Sequence, residues 1–315
     1  MKKKKKVAIT IGDPAGIGTE VTLKALLEEE IISECNPLIV GDRIVIEEAV
    51  KEMGIPFDIE IYDILDTKSV KNRKFRKCMP TEEGGRASVA YIKKAVDLAR
   101  LGIVDAVVTA PISKEALKIA GYQWPGHTEM LAEFTNTKDF SMMLCGGPLR
   151  VILATTHVAM RNISGLITRE RVLKTIILAN KACNMMGIEN PRIGVCGLNP
   201  HAGESGIFGQ EEIDSITPAI EDAVRKGIPV SGPYPADTIF HKAYNGEFDI
   251  VVCMYHDQGL IPLKMIAFDT GVNITIGLPI VRTSPDHGTA YDIAWKGIAN
   301  PSSMIEAIKM AERLI

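Results

Sequence analysis

The chain lacks long apolar runs, carries almost no net charge and contains few aromatic residues. No segment reaches roughly 18 consecutive apolar residues, the length that a membrane-spanning helix needs. The formal net charge is −3, and aromatic residues make up 5% of the sequence. Neither the basic patch nor the stacking surface of a nucleic-acid-binding protein is therefore expected. The 27 glycines and 17 prolines follow no period, which excludes collagen-like and low-complexity chains.

Paired cysteines are also missing. The sequence contains six cysteines, but none forms a C-x-x-C pair, which excludes zinc-ribbon and thioredoxin-like sites. Cys145, Cys196 and Cys253 lie within apolar runs and are predicted to be small core residues. Scattered cysteines of this kind are typical of a reducing compartment, so we expect a cytoplasmic protein.

The N-terminus lacks the apolar core of a signal peptide. The basic run Lys2–Lys6 is followed by apolar residues only over Val7–Ile11. That stretch is shorter than the roughly 7–15 residues of a signal-peptide core. We therefore interpret Lys2–Lys6 as a frayed basic tail in front of a first strand.

What the sequence does contain is the composition and patterning of a globular α/β protein. Its 315 residues, 46% hydrophobic and 24% charged, predict about two domains. Short apolar runs alternate with longer segments of helical periodicity, which predicts a largely parallel sheet covered by helices. The predicted strands are Val7–Ile11, Pro37–Val40, Ala106–Thr109, Arg150–Thr156, Arg192–Gly197, Asp249–Tyr255 and Val272–Ile276. The predicted helices are Glu20–Glu30, Ile44–Met53, Arg86–Arg100, Lys114–Ala120, Arg169–Met186, Gln210–Arg225 and Ser302–Leu314.

Three of the six histidines follow predicted strands. These are His157, His201 and His256. Ligands of open α/β sheets bind outside the carboxyl ends of the strands. We therefore predict one shared site for a divalent transition metal such as zinc. The alternative is three unrelated loop or capping histidines.

Two aspartates could support such a site. A metal-bound imidazole usually donates its other N–H to a carboxylate or a carbonyl. Asp257 is adjacent to His256, and Asp237 lies in Pro235–Thr238. Either could orient a ligand or carry a proton. Asp237 stands beside a threonine, so a helix N-cap is an equal interpretation for it.

Two segments contain residues suited to an anion. Gly126–Glu129 opens a predicted helix, where backbone N–H groups, the imidazole of His127 and the hydroxyl of Thr128 would suit a phosphate. The alternative is a helix start capped by Thr128. Lys264, Asn273 and Arg282 surround an apolar strand and could also contact phosphate. Solvated surface charge is the alternative for them.

A glycine-rich turn follows the first predicted strand. Gly12–Gly18 has the spacing G-x-x-x-G-x-G, which differs from the G-x-G-x-x-G of a dinucleotide site. Asp42, after the second strand, is a candidate ribose ligand under that interpretation. A tight turn that brings backbone close to the active site is the favoured alternative.

Six motifs occur together in an order that carries a family resemblance. They are Ile11–Gly18, Gly126–Glu129, Leu198–Glu204, Pro235–Thr238, Met254–Gly259 and Asp286–Ala290. From about Val7 to the C-terminus the chain resembles the 4-hydroxythreonine-4-phosphate dehydrogenase family of pyridoxal phosphate biosynthesis. That family includes relatives that act on 4-phospho-D-threonate or 4-phospho-D-erythronate.

The resemblance implies a fold and an assembly. The implied fold is that of isocitrate and isopropylmalate dehydrogenases, with two α/β domains and a cleft between them. Residues 1–136 with 278–315 would form the outer domain, and residues 137–277 the metal- and dimer-forming domain. The implied assembly is a homodimer with an active site shared across the interface.

The resemblance also implies roles for single residues. His157, His201 and His256 match the metal ligands, with His256 expected from the partner subunit. The positions that match substrate-binding residues are His127, Thr128, Lys264, Asn273 and Arg282.

A nicotinamide site is implied near the C-terminus instead of at Gly12–Gly18. The segment His287–Ala294 is similar to the cofactor loop of isopropylmalate dehydrogenases. The implied contacts with NAD or NADP come from His287, Gly288, Thr289, Ala290 and Asp292. Trp295 stands where the pattern usually has glycine, and its indole could narrow the loop or pack outside it.

The implied reaction is an oxidative decarboxylation. NAD or NADP would oxidise 4-phosphohydroxy-L-threonine at its free hydroxyl, and loss of carbon dioxide would give 3-amino-2-oxopropyl phosphate. Zinc, cobalt, magnesium or manganese would assist as a Lewis acid, and Lys264, Asp237 and Asp257 are the candidate proton carriers. One alternative is a 4-phospho-D-threonate or 4-phospho-D-erythronate dehydrogenase of sugar-acid catabolism. Another is a metal-dependent phosphate-binding protein without redox chemistry.

Overall fold

The computed structural model describes residues 4–315, which divide into two compact units. The first unit comprises the described residues up to Lys138 together with Leu278–Ile315, and the second unit comprises Asp139–Gly277. Among the described residues, no helix combines the length and the apolar character needed to cross a membrane.

The strands alternate with helices along most of the chain. In chain order the strands are β1 Lys5–Thr10, β2 Cys35–Gly41, β3 Asp63–Asp66, β4 Ala106–Thr109, β5 Ser141–Gly146, β6 Leu149–Leu153, β7 Ile193–Cys196, β8 Val230–Tyr234, β9 Ile250–Cys253, β10 Val272–Ile276 and β11 Val281–Pro285. The helices are α1 Gly18–Ala25, α2 Glu29–Glu34, α3 Arg43–Met53, α4 Glu82–Arg100, α5 Lys114–Ile119, α6 His127–Phe134, α7 Ile163–Leu166, α8 Arg169–Met185, α9 Thr217–Arg225, α10 Ala236–Tyr244, α11 His256–Ala267 and α12 Ser302–Arg313.

The first unit is built on parallel strands in the order β3-β2-β1-β4-β11. All four residues of β4 are buried, as are the last four of β1. Strands that are apolar on both faces are typical of parallel sheets covered by helices. The carboxyl ends of β1 and β4 lie next to each other, because Thr10 pairs with Thr109.

The second unit has the strand order β10-β5-β6-β9-β7-β8. The pairs from β6 to β8 are parallel, whereas β5 runs antiparallel to both β10 and β6. The core beside this sheet includes Leu144, Val151 and Val251 with Leu260 and Leu263 of α11. The predicted α/β class with a largely parallel sheet is therefore confirmed, with one antiparallel strand added.

The N-terminal prediction needs a correction. Lys2 and Lys3 lie outside the described residues, but Lys5 and Lys6 belong to β1 and are not a frayed tail. Lys5 pairs with Cys35, and the backbone N–H of Lys6 donates to Asp105 Oδ2 over 2.7 Å. Its ammonium lies 3.6 Å from Asp63. The Lys6 side chain thus faces a carboxylate while its backbone extends the strand.

The predicted helix Glu20–Glu30 is also wrong as a single element. Helix α1 ends at Ala25 and α2 begins at Glu29. Between them, Leu27 and Glu28 donate to carbonyls only three residues back, at Lys24 and Ala25. Such tightening is common at helix ends, and Glu29 and Glu30 lie in the first turn of α2, where acidic side chains favour a new helix start.

Candidate active site

Two of the three predicted metal ligands lie together in the second unit. The parallel pairing of β6 with β9 continues beyond the strands, because Thr155 donates its N–H and its hydroxyl to the Met254 carbonyl. This pairing brings the next residues of both segments side by side. The rings of His157 and His256 have their centroids 5.7 Å apart. They line one cavity of about 240 Å³.

Asp257 orients one of these rings. Its Oδ1 lies 2.7 Å from Nδ1 of His256, which leaves Nε2 of that imidazole for a ligand. A carboxylate behind a ligating histidine is the arrangement that many metal sites use. The role of Asp257 in orienting a metal ligand stays a prediction.

His201 is not part of this pair. It begins the segment that follows Asn199, and its ring faces Phe208 at 6.1 Å between centroids. Over residues 4–315, no three His, Cys, Asp or Glu side chains come together in a group that could hold a metal ion. One chain therefore brings together His157 and His256 but not the complete predicted triad.

The backbone that carries His201 is left-handed. His201, Ala202, Glu204 and Ser205 have φ between +44° and +57°, with Gly203 at +82° between them. Such residues cost free energy and persist only where their surroundings hold them. The buried carboxylate of Glu212 does so, since it accepts hydrogen bonds from the backbone N–H groups of Leu198 and Asn199 over 2.7 and 2.8 Å.

The remaining candidates of the second unit are dispersed. Asp237 is exposed in the first turn of α10 and caps nothing, since the helix has no side-chain cap. Lys264 is half-buried on α11, seven residues after Asp257, and therefore on the same face of that helix. Asn273 lies on β10, and its side-chain Oδ1 is buried without a hydrogen-bond partner among the described residues.

The first unit contains three of the predicted anion-binding residues, His127, Thr128 and Arg282. Arg282 of β11 is 1% exposed, and its Nε and Nη2 donate to Thr109 Oγ1 over 3.1 and 2.6 Å. His127 is the first residue of α6, an eight-residue helix, and Thr128 follows it. The Nε2 atom of His127 is buried without a partner in the described structure. A polar atom left in this way is suited to a ligand.

The electrostatics of this group follow from burial. Burial and the charge of Arg282 hold the pKa of His127 well below 6.5. A hydrogen bond to the Ala110 backbone acts in the opposite direction and is the smaller effect. Burial lowers the pKa of Arg282 to about 9, which leaves the guanidinium charged near neutral pH. A neutral imidazole thus lies beside a buried cation, at a helix N-terminus that attracts anions.

The cofactor-like loop lies against the glycine-rich turn. The Thr289 carbonyl accepts a hydrogen bond from the Ile17 N–H over 3.0 Å. The indole of Trp295 donates to the Pro14 carbonyl over 3.1 Å, and its ring lies 3.9 Å from the Lys77 ammonium. Trp295 therefore packs onto the turn and onto the Lys77 segment. Asp292 is exposed.

The turn itself is a packing device, as its favoured interpretation predicts. A Cβ on Gly18 would lie 2.3 Å from the Ile11 carbonyl oxygen, and one on Gly12 would lie 2.3 Å from that of Pro111. Asp42 is not available to a ribose. It is 0% exposed, and its carboxylate accepts from Thr67, Ser69, Val70 and Tyr91.

Sequence reasoning missed several residues that shape these sites. Besides Glu212, they include Gln258, which accepts from the Met254 N–H over 2.7 Å and donates to the Gly197 carbonyl over 2.8 Å. Gln258 thereby ties together the ends of β9 and β7. Asp13 and Tyr291, joined by a 2.7 Å hydrogen bond, are a further pair. No local pattern marks them, because most of their partners are distant in the sequence, as Gly197 is from Gln258.

Comparison with known proteins places the chain among dehydrogenases. Residues 33–311 match the family model described as pyridoxal phosphate biosynthetic protein PdxA. A 4-hydroxythreonine-4-phosphate dehydrogenase from Desulforapulum autotrophicum is 47% identical over 97% of this chain and 94% of its own length. A D-threonate 4-phosphate dehydrogenase from Pectobacterium atrosepticum is 44% identical over 98% of both chains.

Solved structures agree with the architecture. The crystal structure of a 4-hydroxythreonine-4-phosphate dehydrogenase from Klebsiella pneumoniae matches with a TM-score of 0.90 and 40% identity, covering 99% of each chain. An isocitrate dehydrogenase from Methylococcus capsulatus, 14% identical, shares the fold at a TM-score of 0.53 over 98% of this chain and 84% of its own. The predicted fold class is confirmed.

Proposed function

The chain belongs to the PdxA family, and we propose that it oxidises 4-phosphohydroxy-L-threonine at its free hydroxyl with a nicotinamide cofactor and then decarboxylates the product. The observation that carries the proposal is the grouping of His127 with the buried guanidinium of Arg282 in the first unit. It offers a phosphorylated substrate both charge and hydrogen-bond donors. The product would be 3-amino-2-oxopropyl phosphate.

The phosphate would bind where donors and positive charge coincide. Arg282 supplies a charged planar donor, Thr128 a hydroxyl, and the start of α6 its backbone N–H groups. The family resemblance assigns Lys264 and Asn273 to substrate binding as well, and the buried Oδ1 of Asn273 has no hydrogen-bond partner among the described residues. Because the phosphate is remote from the reacting carbon, its binding energy would position that carbon.

The donor set fits a divalent metal in part. Two imidazoles that share one zinc ion, at Zn–N distances of about 2.0–2.1 Å, have ring centres roughly 5–6 Å apart. The 5.7 Å between His157 and His256 agrees with that spacing. The third imidazole, His201, would then need a second copy of the chain to complete the set. In the arrangement that the family resemblance implies, His157 and His201 instead come from one subunit and His256 comes from its partner. The two arrangements give opposite results in mixed dimers.

A homodimer has support in the apolar surface around each histidine. Val158 and Met160 after His157, and Ile207 and Phe208 after His201, are between 39% and 74% exposed. On the helix that begins at His256, Ile261, Met265 and Phe268 are 60%, 81% and 76% exposed. Their spacing puts these three side chains on one helix face. Exposed apolar surface of this kind is typical of protein interfaces.

The chemistry requires removal of a hydride from the carbon that bears the free hydroxyl and of the proton from that hydroxyl. When bound, nicotinamide accepts the hydride, and a divalent ion stabilises negative charge on the substrate oxygen. Of the three candidate proton carriers, Lys264 has the best-supported position. It lies on the same face of α11 as Asp257. Asp257 is engaged with His256, and Asp237 has no contact with these residues in the described structure. The proton would return to the carbon that loses carbon dioxide.

The nicotinamide dinucleotide would bind at His287, Gly288, Thr289, Ala290 and Asp292. The support is the similarity of this segment to the cofactor loop of isopropylmalate dehydrogenases and its fixed backbone, in which Ile293 and Ala294 both donate to the Ala290 carbonyl. NAD and NADP are both compatible with these residues. We propose a cytoplasmic enzyme, since all six cysteines are free thiols.

A D-threonate 4-phosphate dehydrogenase is the second candidate. Relatives with that name and relatives named for hydroxythreonine phosphate are similarly close, at 44% and 47% identity. Both substrates carry the phosphate and the oxidisable hydroxyl, so the same residues would serve either. They differ at the amino-bearing carbon.

The test is reduction of NAD or NADP by the purified protein with each substrate offered separately. We expect turnover of 4-phosphohydroxy-L-threonine that a chelator abolishes and a divalent metal restores. Preference for 4-phospho-D-threonate or 4-phospho-D-erythronate would favour the second candidate and keep the chemistry. No reduction of either dinucleotide, with metal present, would overturn the dehydrogenase assignment.

A further inference from the structure

A buried aspartate of the glycine-rich turn contacts the proposed cofactor loop. Asp13 is 0% exposed. Its Oδ2 accepts a hydrogen bond from the Tyr291 hydroxyl over 2.7 Å, and its Oδ1 accepts from the Ala15 N–H over 2.9 Å. Tyr291 lies between Ala290 and Asp292, two of the residues assigned to the nicotinamide dinucleotide. The phosphate and metal contacts proposed above do not involve either residue of this pair.

Neighbouring contacts fix the same loop from the same side. The Ile17 N–H donates to the Thr289 carbonyl over 3.0 Å, and the Trp295 indole donates to the Pro14 carbonyl over 3.1 Å. A Cβ on Gly16 would lie 3.0 Å from both the Cβ and the carbonyl oxygen of Thr289. The turn and the loop are thus closely fitted, and Gly16 is needed for that fit.

Helix α1 extends this contact beyond the turn. The Lys24 ammonium donates to the carbonyls of Gly297 and Ala299, each over 2.9 Å. The Glu20 carboxylate accepts from the Ala299 N–H over 2.7 Å. The segment from Thr289 to Ala299 is therefore held along its length by the residues that follow β1.

The loop needs this support because its backbone is strained. Ala290 has φ +40°, and Trp295 has φ +62°. Non-glycine residues adopt such angles only where the surroundings hold them. The Tyr291 side chain is tied to a buried carboxylate, and because Asp13 is 0% exposed, loss of the tyrosine hydroxyl would leave a buried acceptor without its partner.

We propose that Asp13 is a positioning residue for the nicotinamide cofactor, acting through the Tyr291 hydroxyl on the backbone of residues 287–292. The inference rests on the proposed cofactor role of that loop. The glycine-rich turn would then not bind the dinucleotide itself. It would shape the loop of residues 287–292, which binds the dinucleotide. Asp13 contacts neither substrate nor cofactor in this account, so the pair should affect cofactor binding more than phosphate binding.

A purely structural role is the competing explanation, and the chain offers a matched control for it. Tyr91 and Asp42 form a second buried pair in the same unit, with the hydroxyl donating to Asp42 Oδ2 over 2.7 Å. Both residues are 0% exposed. Tyr91→Phe removes the same atom from the same kind of pair, whose carboxylate accepts from Ser69 and Val70 and not from the loop. It measures what the loss of such a bond does to stability alone.

The experiment compares Tyr291→Phe, Asp13→Asn and the double variant with Tyr91→Phe in the full-length enzyme. We expect Tyr291→Phe and Asp13→Asn to raise the KM for the dinucleotide about tenfold or more, because a misplaced binding loop costs affinity steeply. The KM for the phosphorylated substrate should change little. The double variant should be about as impaired as the worse single variant, since both substitutions act on the same hydrogen bond. Tyr91→Phe should lower the melting temperature without changing either KM.

A binding readout that needs no turnover accompanies the kinetics. The chain has two tryptophans, so a Trp124→Phe background leaves Trp295, which touches the turn, as the only indole fluorophore. Its emission should change when NAD or NADP is added, at about tenfold higher dinucleotide concentration in Tyr291→Phe. If Tyr291→Phe and Tyr91→Phe lower stability alike and dinucleotide affinity stays unchanged, the inference is wrong. If the unmodified protein neither binds nor reduces a dinucleotide, the proposed function fails first and the inference with it.

Discussion

The carboxylate of Glu212 holds Asn199 by two hydrogen bonds. Its Oε1 accepts from the Asn199 backbone N–H over 2.8 Å, and its Oε2 accepts from the side-chain Nδ2 over 2.9 Å. Glu212 is 3% exposed. Asn199 lies two residues before the left-handed segment that begins at His201. The orientation of one proposed metal ligand thus depends on a glutamate eleven positions later in the sequence.

Replacing Glu212 with Gln should weaken metal binding. The amide would present a donor to at least one of the N–H groups that the carboxylate now accepts, which leaves buried donors unpaired. We expect zinc affinity, measured by calorimetry on the purified protein, to fall about 10- to 100-fold, as when other residues that orient metal ligands are replaced. Glu211→Gln is the control, since Glu211 also accepts from Asn199 Nδ2 but is less buried. Equal zinc affinity in Glu212→Gln and the unmodified protein would show that His201 does not depend on this carboxylate.

Arg282→Lys should impair the phosphorylated substrate more than the dinucleotide. The guanidinium donates from both Nε and Nη2 to Thr109, and an ammonium cannot reproduce that planar arrangement. We expect the KM for 4-phosphohydroxy-L-threonine to rise about tenfold or more, with a smaller change in the KM for the dinucleotide. Arg192→Lys, which alters an exposed ion pair with Asp249, should leave both KM values unchanged. A substrate KM that stays constant in Arg282→Lys would remove Arg282 from the phosphate site.

The elements with regular patterns could be predicted from the sequence. Strands β4 and β10 have the predicted bounds, Ala106–Thr109 and Val272–Ile276. Helix α11 was not predicted, because Gly259 and Pro262 read locally as helix breakers. In the structure a Cβ on Gly259 would lie 3.0 Å from Cys253 Sγ. The glycine therefore serves close packing of the helix on the sheet, which no local pattern reveals.

The candidate site could be predicted where chemistry follows strand ends or helix starts. His157 and His256 lie together because parallel neighbours end at the same edge of a sheet. The bond between Asp13 and Tyr291 spans 278 positions of sequence, and spacing rules do not reach that far. Asp42 was a candidate ribose ligand by position alone, and its burial under Tyr91 excludes that role.

The stability of the protein should depend on pH through His127. Burial and the charge of Arg282 hold the pKa of this imidazole well below 6.5, whereas in the unfolded chain it titrates near 6.5. Between these values the unfolded state binds more protons. The contribution of a neutral His127 is therefore complete above about pH 6.5 and is lost as the pH falls below it.

The measurement is the free energy of unfolding in urea at about pH 7.5 and about pH 5.5, for the unmodified protein and His127→Gln. We expect a smaller loss of stability on acidification in the variant. The variant must be compared with the unmodified protein because other groups also make stability depend on pH. Burial raises the pKa of Asp13, and a raised carboxyl pKa makes the protein more stable as the pH falls, which is opposite to the effect of His127. Exposed His241, changed to Gln, controls for removal of an imidazole. The same pH dependence in all three proteins would contradict the assignment.

Subunit complementation should decide how the three histidines are shared. His157→Ala and His256→Ala are each expected to lose metal-dependent activity. If one subunit supplies His157 and His201 and its partner supplies His256, a mixed dimer of the two variants contains one site with all three imidazoles intact. Random mixing of equal amounts should then restore about one quarter of the normal activity, because half of the dimers are mixed and each has one intact site.

If His157 and His256 of the same chain bind the metal together, as their 5.7 Å separation would permit, every site in the mixed dimer lacks one ligand. No activity would return, and His201 would be the residue that crosses the interface. A mixture of His157→Ala with His157→Ala/His256→Ala, which has no intact site under either arrangement, gives the baseline.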